Sequence, residues 1–398
     1  MKSIILFFLI FVHRLPIGRI FRRKKMSSRI LIVKIDAIGD SIIWLNSAKE
    51  YKKHFPNHTL VLCYKKDWED IALKLRYFDE FIAFDQKRFF KSIAYRFSLL
   101  KQLNTYHYEI VINPTFSRNF FLQDWIINNI HADTKIGSIG EYCNTNNTIA
   151  KLTHNFEKYN PKLKAIADRW YTRLITTSAE PKMELIRNAE FIREYLNPQF
   201  QATIPKFPFP IEKNDKVPFE KYIIFVMGSS TERKSWETEN FASVAAKLID
   251  NYNIVVCGNK NESVLYEKLI AYNFGDKHIL NLCGKTNLTE LISIINDADF
   301  IITNDTAASH ICVATQTSSI CILGGGHFGR FHPYEIEKLT DNEKLFLPKI
   351  VYHKMNCFGC GWICKYPLEN GKWKCIKNID SKIVIDKIHE IIEYKNYK

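Results

Sequence analysis

Strands that end in short polar or glycine-rich turns constrain the fold of this sequence more than any other feature. In the second half of the chain, five apolar segments are each followed by such a turn. These predicted strands cover residues 222–227, 254–257, 280–283, 298–303 and 319–323. Strands that alternate with helices in this way predict a parallel sheet, in which the turns gather at the carboxyl edge and bind the ligand.

The first half of the chain begins with the same pattern. Residues 29–35 predict a buried strand, which a turn containing Gly39 joins to a helix. Further strands are predicted at 59–64, 78–84 and 109–113, and helical spacing extends from residue 163 to about residue 196. The first turn has neither a P-loop nor a G-x-G-x-x-G sequence, so neither standard nucleotide fingerprint applies. Asp40 stands at the start of the helix, where it is either an N-cap or a general base.

The length of 398 residues is sufficient for two domains with full cores. Five prolines between residues 198 and 218 mark a linker over 201–218. The predicted domains therefore cover 26–200 and 219–378, and residues 379–398 have the spacing of a C-terminal helix. Both domains are predicted to be doubly wound α/β domains of the Rossmann type.

The net charge of +14 and the pI near 9.1 predict anionic partners, such as a nucleotide, an acidic glycolipid or an anionic membrane. The basic residues are spread along the chain without a zinc-finger, RNA-recognition or helix-turn-helix pattern, so nucleic acid is not predicted as a partner. Cysteines outside the C-terminal cluster lie mostly in apolar segments, as the reduced core thiols of a cytoplasmic protein do.

The N-terminal segment, residues 1–25, combines an apolar run at 4–12 with a basic cluster. The run is less than half the roughly 20 residues that span a bilayer, and no small-x-small cleavage site follows it. Such a segment suits peripheral contact with the anionic inner face of the cytoplasmic membrane. Its composition is equally compatible with disorder or with translation that starts at Met26.

Four cysteines near the end of the chain form a cluster. They are Cys357, Cys360, Cys364 and Cys375, spaced C-x2-C-x3-C-x10-C. Four thiolates at this spacing suit tetrahedral zinc or iron, which predicts a structural metal site. Reduced or disulfide-paired thiols are the alternative.

The strand at 298–303 leads into Asn304-Asp305-Thr306 and then into a helix. The N-terminus of a helix carries a partial positive charge, so a diphosphate has a natural binding position beside Thr306. The Asp305 carboxylate would accept hydrogen bonds from sugar or ribose hydroxyls. The alternative is that Asp305 is only an N-cap.

Taken together, these motifs resemble glycosyltransferase family 9, the lipopolysaccharide heptosyltransferase family, from Arg29 to the C-terminus. The segments that carry the resemblance are Ile32-Val33-Lys34-x3-Ile38-Gly39-Asp40, Lys234-Ser235-Trp236, Asn304-Asp305-Thr306-x3-His310 and the cysteine cluster. The resemblance implies a GT-B fold, in which two Rossmann-like domains face a central cleft and the C-terminal helix packs back on the N-terminal domain.

The resemblance also implies roles for single residues. Asp40 corresponds to the proposed catalytic base. Asp36 stands where small or neutral residues are common in the family, and it is a second, lower-ranked candidate for this role. Arg118 would meet the acidic acceptor. The residues that would bind the donor are Ser230, Thr231, Lys234, Gly258, Glu262, Asp305, Thr306, Ala307 and His310.

The implied activity is metal-independent, inverting transfer of a sugar from a nucleotide-sugar donor. The sugar would be heptose from ADP-heptose, and the acceptor a lipopolysaccharide core or another lipid-linked surface glycan. Ala307 stands where the family has glycine, which adds a Cβ near the ligand and leaves the identity of the donor open. Two alternatives are a family 9 enzyme with another nucleotide sugar and a non-catalytic scaffold or metal-binding protein of a glycan-assembly complex.

Overall fold

The computed structural model describes residues 14–21, 28–141, 156–178, 180–275, 279–336 and 338–396. The apolar run at 4–12 and the end of the basic cluster lie outside these residues. The chain divides into two compact units, Met1–Glu180 with Glu184–Gln201 and Pro181–Met183 with Ala202–Lys398. Each unit contains one six-stranded parallel sheet, so both predicted α/β domains are confirmed.

The N-terminal sheet has the strand order β3-β2-β1-β4-β5-β6. Its strands are β1 (Arg29–Lys34), β2 (Thr59–Lys65), β3 (Glu80–Phe84), β4 (Tyr108–Asn113), β5 (Ala132–Ser138) and β6 (Arg173–Ile175). Its helices are α1 (Ile38–His54), α2 (Glu69–Ala72), α3 (Gln86–Lys91), α4 (Ile93–Leu103), α5 (Gln123–Asn129), α6 (Phe156–Asp168) and α7 (Glu184–Tyr195). The central strands are continuously apolar because they are buried on both faces.

The C-terminal sheet has the strand order β12-β11-β10-β7-β8-β9. Its strands are β7 (Tyr222–Val226), β8 (Asn253–Val256), β9 (Ile279–Asn281), β10 (Phe300–Asn304), β11 (Ser319–Ile322) and β12 (Lys349–Val351). Its helices are α8 (Thr238–Leu248), α9 (Ser263–Ile270), α10 (Leu288–Asn296), α11 (Ala307–Thr315), α12 (Asp341–Leu345), α13 (Lys374–Lys377) and α14 (Ser381–Asn396).

The strand order of each sheet reverses between two neighbouring central strands. These are β1 and β4 in the N-terminal sheet, and β7 and β10 in the C-terminal sheet. In open parallel sheets, the crevice beside such a reversal is where ligands bind, at the carboxyl ends of the strands. The turns that follow β1, β7 and β10 are therefore the expected ligand loops.

Three strands were not predicted from the sequence. They are β5, β6 and β12, and β6 and β12 are edge strands of only three residues each. Such short strands are too brief to display a period, so the sequence carries little signal for them. β6 also interrupts the region from 163 to 196, which was wrongly predicted to be helical throughout.

The C-terminal helix α14 packs on the core of the C-terminal domain. Val384, Ile388 and Ile391 are buried in the apolar core of that domain, where α14 contacts α8, β11 and β12. These three residues have helical spacing, so they form one apolar face that the C-terminal sheet covers. None of the described helices has the length and apolar character needed to cross a membrane.

Ile388→Ala tests the packing of α14. Ile388 is 1% exposed, whereas Ile383 on the same helix is 45% exposed. We expect Ile388→Ala to lower the free energy of unfolding by about 2–4 kcal/mol, because it leaves a cavity in the core. Ile383→Ala should change it by less than about 0.5 kcal/mol. Urea denaturation followed by circular dichroism measures both, and equal effects would contradict this packing.

Candidate functional site

The turn after β1 carries two carboxylates in different environments. Asp36 pairs with Lys34 at 2.6 Å and accepts hydrogen bonds from Thr115 at 2.8 Å and Gln123 at 2.9 Å. Three donors hold this carboxylate in place and occupy both of its oxygens. Asp36 is therefore better suited to positioning Lys34 than to accepting a proton from a substrate.

Asp40 lies in the first turn of α1, whose N-cap is Ala37. Asp40 is therefore not the N-cap, so this alternative from the sequence is wrong. Its negative charge is favourable at this end of the helix. Although burial alone lowers the pKa of Lys34, the nearby carboxylates of Asp36, Asp40 and Glu184 raise it above its usual value. Lys34 is thus a buried cation whose charge the neighbouring carboxylates, Asp40 among them, stabilise.

Arg118 is fully buried, so the structure does not support its predicted contact with an acceptor. Its guanidinium forms ion pairs with Asp124 and Asp168 and lies 4.8 Å from the centre of the Tyr171 ring. Tyr171 donates a 2.6 Å hydrogen bond to Asp124. A buried cation is retained only with such partners, and here they join the loop after β4 to helices α5 and α6.

In the C-terminal domain, the buried amide of Asn304 fixes the ends of β7 and β10 to each other. Its Oδ1 accepts a 2.9 Å hydrogen bond from the backbone N–H of Trp236. Its Nδ2 donates a 2.7 Å hydrogen bond to the carbonyl of Met227. The turn after β7, which carries Lys234, is thereby held beside the turn that carries Asp305.

Lys234 lies at the end of the 3₁₀ turn Glu232–Lys234, with its Nζ 4.2 Å from the centre of the Trp362 ring. Burial lowers the pKa of Lys234, and the Asp305 carboxylate partly opposes this effect. Burial also raises the pKa of Asp305 to about 6, and Lys234 acts in the opposite direction. The two side chains are therefore electrostatically coupled, although the sequence motifs themselves do not indicate that they lie near each other.

Arg330 adds a second cation to this region, and it was not predicted from the sequence. Burial, together with the nearby charges of Arg330 and Lys234, lowers the pKa of His327 to about 3. His327 is therefore neutral, and its ring packs on Trp362 with 5.9 Å between ring centres. The sequence signal was the glycine-rich turn after β11, which pointed to a ligand loop but not to Arg330 itself.

Asp305 is not the N-cap of α11. That position belongs to Thr306, whose Oγ1 accepts from the backbone N–H of Ala308. Asp305 stands one residue earlier, with an oxygen 4.0 Å from His332 Nε2, and His332 Nε2 also lies 2.8 Å from Ser309 Oγ. Asp305 thus remains at the start of the helix as a carboxylate with a raised pKa, beside Thr306 and Ala307.

His310 was predicted to bind the donor, but the structure places it in the interior. It is buried in α11, and its Nδ1 lies 2.7 Å from the hydroxyl of Tyr334. Its ring stacks on His332 with 4.7 Å between ring centres. His310 therefore holds α11 against the loop at 331–334, and its described contacts are structural.

Glu262 packs against two of the glycine turns. Its Oε2 accepts a 2.8 Å hydrogen bond from the backbone N–H of Asn259, and burial raises the pKa of its carboxyl group. A Cβ on Gly228 would lie 2.0 Å from Glu262 Cδ, and a Cβ on Gly258 would lie 2.3 Å from its Oε2. Both glycines are therefore required so that the carboxylate can sit at the ends of β7 and β8.

Ser230 and Thr231 complete the predicted donor residues. Ser230 is exposed and Thr231 half-buried in the turn between β7 and Lys234. Ser229 orders this turn, because its hydroxyl donates to the carbonyl of Thr231 at 2.6 Å. Their hydroxyls thus belong to the same loop as Lys234.

The segment that contains the four cysteines, residues 357–375 (the cysteine segment), packs against the glycine-rich turn after β11. The backbone N–H groups of Gly359 and Gly361 donate to Gly325 and Gly326 at 2.8 and 2.9 Å. A Cβ on Gly326 would lie 2.3 Å from the Trp362 ring, so glycine is needed there. The cysteine cluster is distant from the motif loops in sequence. In the structure, however, Trp362, which lies between Cys360 and Cys364, contacts Lys234.

Cys357, Cys360, Cys364 and Cys375 are free thiols. Burial raises the pKa of Cys375, and the other three thiols raise it further, so the four lie near one another. Within the described ranges, the ligand atoms found within 4.8 Å of one another belong to Asp305, Cys321 and His332. The four cysteines do not form a group that compact, although their donor set suits zinc or iron.

These features define the chemistry that the C-terminal domain can perform. Lys234, Arg330 and the N-terminus of α11 supply positive charge beside two carboxylates, Asp305 and Glu262, that can accept hydroxyl hydrogen bonds. A nucleoside diphosphate bound to a sugar presents the complementary groups. Such a site lies in the class of Rossmann-like domains that bind nucleotide sugars.

Comparisons with known proteins agree with this class. A sequence model of glycosyltransferase family 9 (heptosyltransferase) matches residues 96–344. The chain therefore belongs to glycosyltransferase family 9. It is 28% identical over 141 residues to the lipopolysaccharide core heptosyltransferase OpsX of Haemophilus influenzae. That match spans 33% of this chain and 40% of OpsX, well under two thirds of its length.

Solved structures give the fold over nearly the whole chain. The heptosyltransferase WaaC of Escherichia coli with ADP has a TM-score of 0.60 at 16% identity, over 91% of this chain and 99% of WaaC. The iron-containing dodecameric glycosyltransferase TibC of enterotoxigenic Escherichia coli has a TM-score of 0.51 at 11% identity, over 94% of this chain and 78% of TibC. The pair of Rossmann-like domains is thus that of the GT-B heptosyltransferases.

Gly228→Ala tests the packing of Glu262. Gly228 does not have a positive φ, and the three atoms nearest to an added Cβ all belong to the Glu262 carboxyl group. We expect the substitution to lower the free energy of unfolding by about 1–3 kcal/mol, because one group must move. In a Glu262→Ala background the same substitution should be nearly neutral. Urea denaturation of the four chains measures this coupling, and additive effects would contradict the contact.

Proposed function

We propose that this protein is a metal-independent, inverting glycosyltransferase that transfers heptose from ADP-heptose to a lipopolysaccharide-core or other lipid-linked surface-glycan acceptor. One observation carries the proposal: Lys234 and the N-terminus of α11 lie on the turns after β7 and β10, the two strands at the reversal of the C-terminal sheet, and Arg330 adds positive charge beside His327. Cations and helix N–H groups stabilise a leaving diphosphate as its charge develops. The family and the names of OpsX and WaaC support the choice of heptose and ADP.

On this proposal, different residues bind the diphosphate, the ribose and the transferred sugar of the donor. Lys234 holds the diphosphate, with the Ser230 and Thr231 hydroxyls and the Thr306 turn around it. Glu262 accepts hydrogen bonds from the ribose, and Gly258 gives it room. Asp305 accepts hydrogen bonds from the transferred sugar. The Ala307 Cβ lies in the turn beside Asp305, and its added volume favours a donor that leaves space there.

Asp40 is the proposed general base. It would take the proton of the acceptor hydroxyl while that oxygen attacks the anomeric carbon from the side opposite the diphosphate. Inversion follows because a single displacement forms the new bond as the bond to the diphosphate breaks. Asp36 is the weaker candidate, since Lys34, Thr115 and Gln123 already engage its carboxylate.

A structural zinc or iron ion held by Cys357, Cys360, Cys364 and Cys375 is a further part of the proposal. The proximity of the other three thiols to Cys375, whose pKa burial and these thiols raise, and the iron in TibC support it. Such an ion would brace the segment that carries Trp362, and thereby Lys234. It would not take part in transfer.

The proposed location is the cytoplasm, with peripheral contact at the inner face of the membrane. The net charge of +14 supports contact with anionic lipid. A different nucleotide sugar is the second candidate, and Ala307 in place of glycine is the observation that favours it. Retention of Asp40, Lys234, Glu262 and Asp305 makes a non-catalytic scaffold the weaker alternative.

Calorimetric titration of ADP, UDP, GDP and CDP tests donor recognition. We expect saturable ADP binding that survives a chelator and weakens roughly 10- to 100-fold in Lys234→Ala, because a charged hydrogen bond to the diphosphate is lost. Lys221→Ala is the matched control, since Lys221 precedes β7 at the opposite end of the strand. If the protein prefers UDP, GDP or CDP, the proposed donor is wrong and another nucleotide sugar takes its place. If no nucleotide binds, the proposal is contradicted.

A further inference from the structure

Helices α3 and α4 expose apolar side chains that the fold does not need. Phe90 is 44% exposed, Ile93 72% and Phe97 41%. Ile93 and Phe97 are four residues apart and therefore share one face of α4. The opposite face of α4 is buried in the N-terminal core through residues such as Leu99 and Leu103. The outer face is thus a second apolar surface rather than the edge of the core.

This surface is strongly basic. Residues 86–103 contain Lys87, Arg88, Lys91, Arg96 and Lys101 and no aspartate or glutamate. All of these except Arg96 are exposed. Arg96 is held locally, because its Nε donates to the carbonyl of Phe89 at 2.6 Å. The nearest acidic residue in sequence, Asp85, is occupied as the N-cap of α3.

The N-terminal segment joins the domain at the end of α4. Asn104, which follows α4, donates to the carbonyl of Asn129 at 3.0 Å, and Asn129 Oδ1 accepts from the N–H of Gly18 at 2.8 Å. The turn Ile17–Ile20 is thereby fixed beside this helix, and its Ile20 is exposed. One further exposed apolar residue of the N-terminal domain therefore lies in a turn tied to the end of α4.

The positive charge and the exposed apolar side chains of α3 and α4 together indicate which kind of partner this surface binds. A second copy of this chain would bring two sets of like charges together, which opposes self-association. Nucleic acid would pair with the cations but offers nothing to an exposed aliphatic side chain such as Ile93. An anionic lipid bilayer satisfies both, because its interface accepts aromatic and aliphatic side chains while its headgroups pair with lysine and arginine.

We propose that α3 and α4 dock on an anionic lipid bilayer, with Phe90, Ile93 and Phe97 entering the interface. Lys87, Arg88, Lys91 and Lys101 would pair with the headgroups. This surface belongs to the N-terminal domain, whereas the donor residues belong to the C-terminal domain. The inference gives the proposed membrane contact a surface, but it does not depend on the proposed reaction and holds for any activity of the chain.

Co-sedimentation of the full chain with vesicles tests this docking. The vesicles consist of phosphatidylcholine alone or mixed with phosphatidylglycerol. We expect the wild-type chain to bind the anionic vesicles only. The affinity for these vesicles should fall at least tenfold in the triple variant Phe90→Ser/Ile93→Ser/Phe97→Ser. Lys91→Ala and Lys101→Ala should each weaken binding by about fivefold at low salt. Leu73→Ser, an exposed apolar site on the same domain, is the matched control.

Circular dichroism and the unfolding midpoint establish that the triple variant folds, as the exposure of its three sites predicts. Failure of the wild-type chain to bind anionic vesicles would overturn the proposal. So would undiminished binding by the triple variant, which would assign membrane contact to another segment. Gel filtration that shows a dimer broken by the triple variant would instead assign this surface to self-association.

Discussion

The buried amide of Asn304 is the contact on which the candidate donor site depends. It links the backbone N–H of Trp236 to the carbonyl of Met227 and so ties the ends of the two central strands β7 and β10. Loss of either hydrogen bond would leave a buried polar group unpaired, which costs about 1–3 kcal/mol. Because Lys234 and Asp305 lie on the two turns so joined, their electrostatic coupling follows from this one side chain.

Around that contact, glycines let aromatic and acidic groups approach the strand ends. Gly228 and Gly258 make room for Glu262, while Gly326 makes room for Trp362, which in turn covers Lys234. The cysteine segment is thus part of the wall of the candidate site. A metal ion at the cysteines would influence donor binding through Trp362 without touching the donor.

The features of this protein that were predictable from its sequence are the local ones. Buried parallel strands are continuously apolar and end in polar turns, so β1, β7 and β10 and the turns with Asp40, Lys234 and Asp305 were placed correctly. Contacts between distant segments were not predictable. Arg118 was predicted to contact an acceptor, but it is buried and paired with Asp124 and Asp168. Likewise, nothing in the sequence around Trp362 indicates that its ring contacts Lys234.

Sugar transfer from ADP-heptose to a lipid-linked acceptor, measured in the presence of a chelator, is the decisive test of the proposed chemistry. We expect transfer by the wild-type chain, a fall in kcat of roughly 10²–10⁴-fold in Asp40→Asn, and unchanged ADP affinity in that variant. Asp36→Asn should lose far less, since Lys34, Thr115 and Gln123 already engage the Asp36 carboxylate. Wild-type turnover by Asp40→Asn, or loss confined to Asp36→Asn, would contradict the assignment of the base.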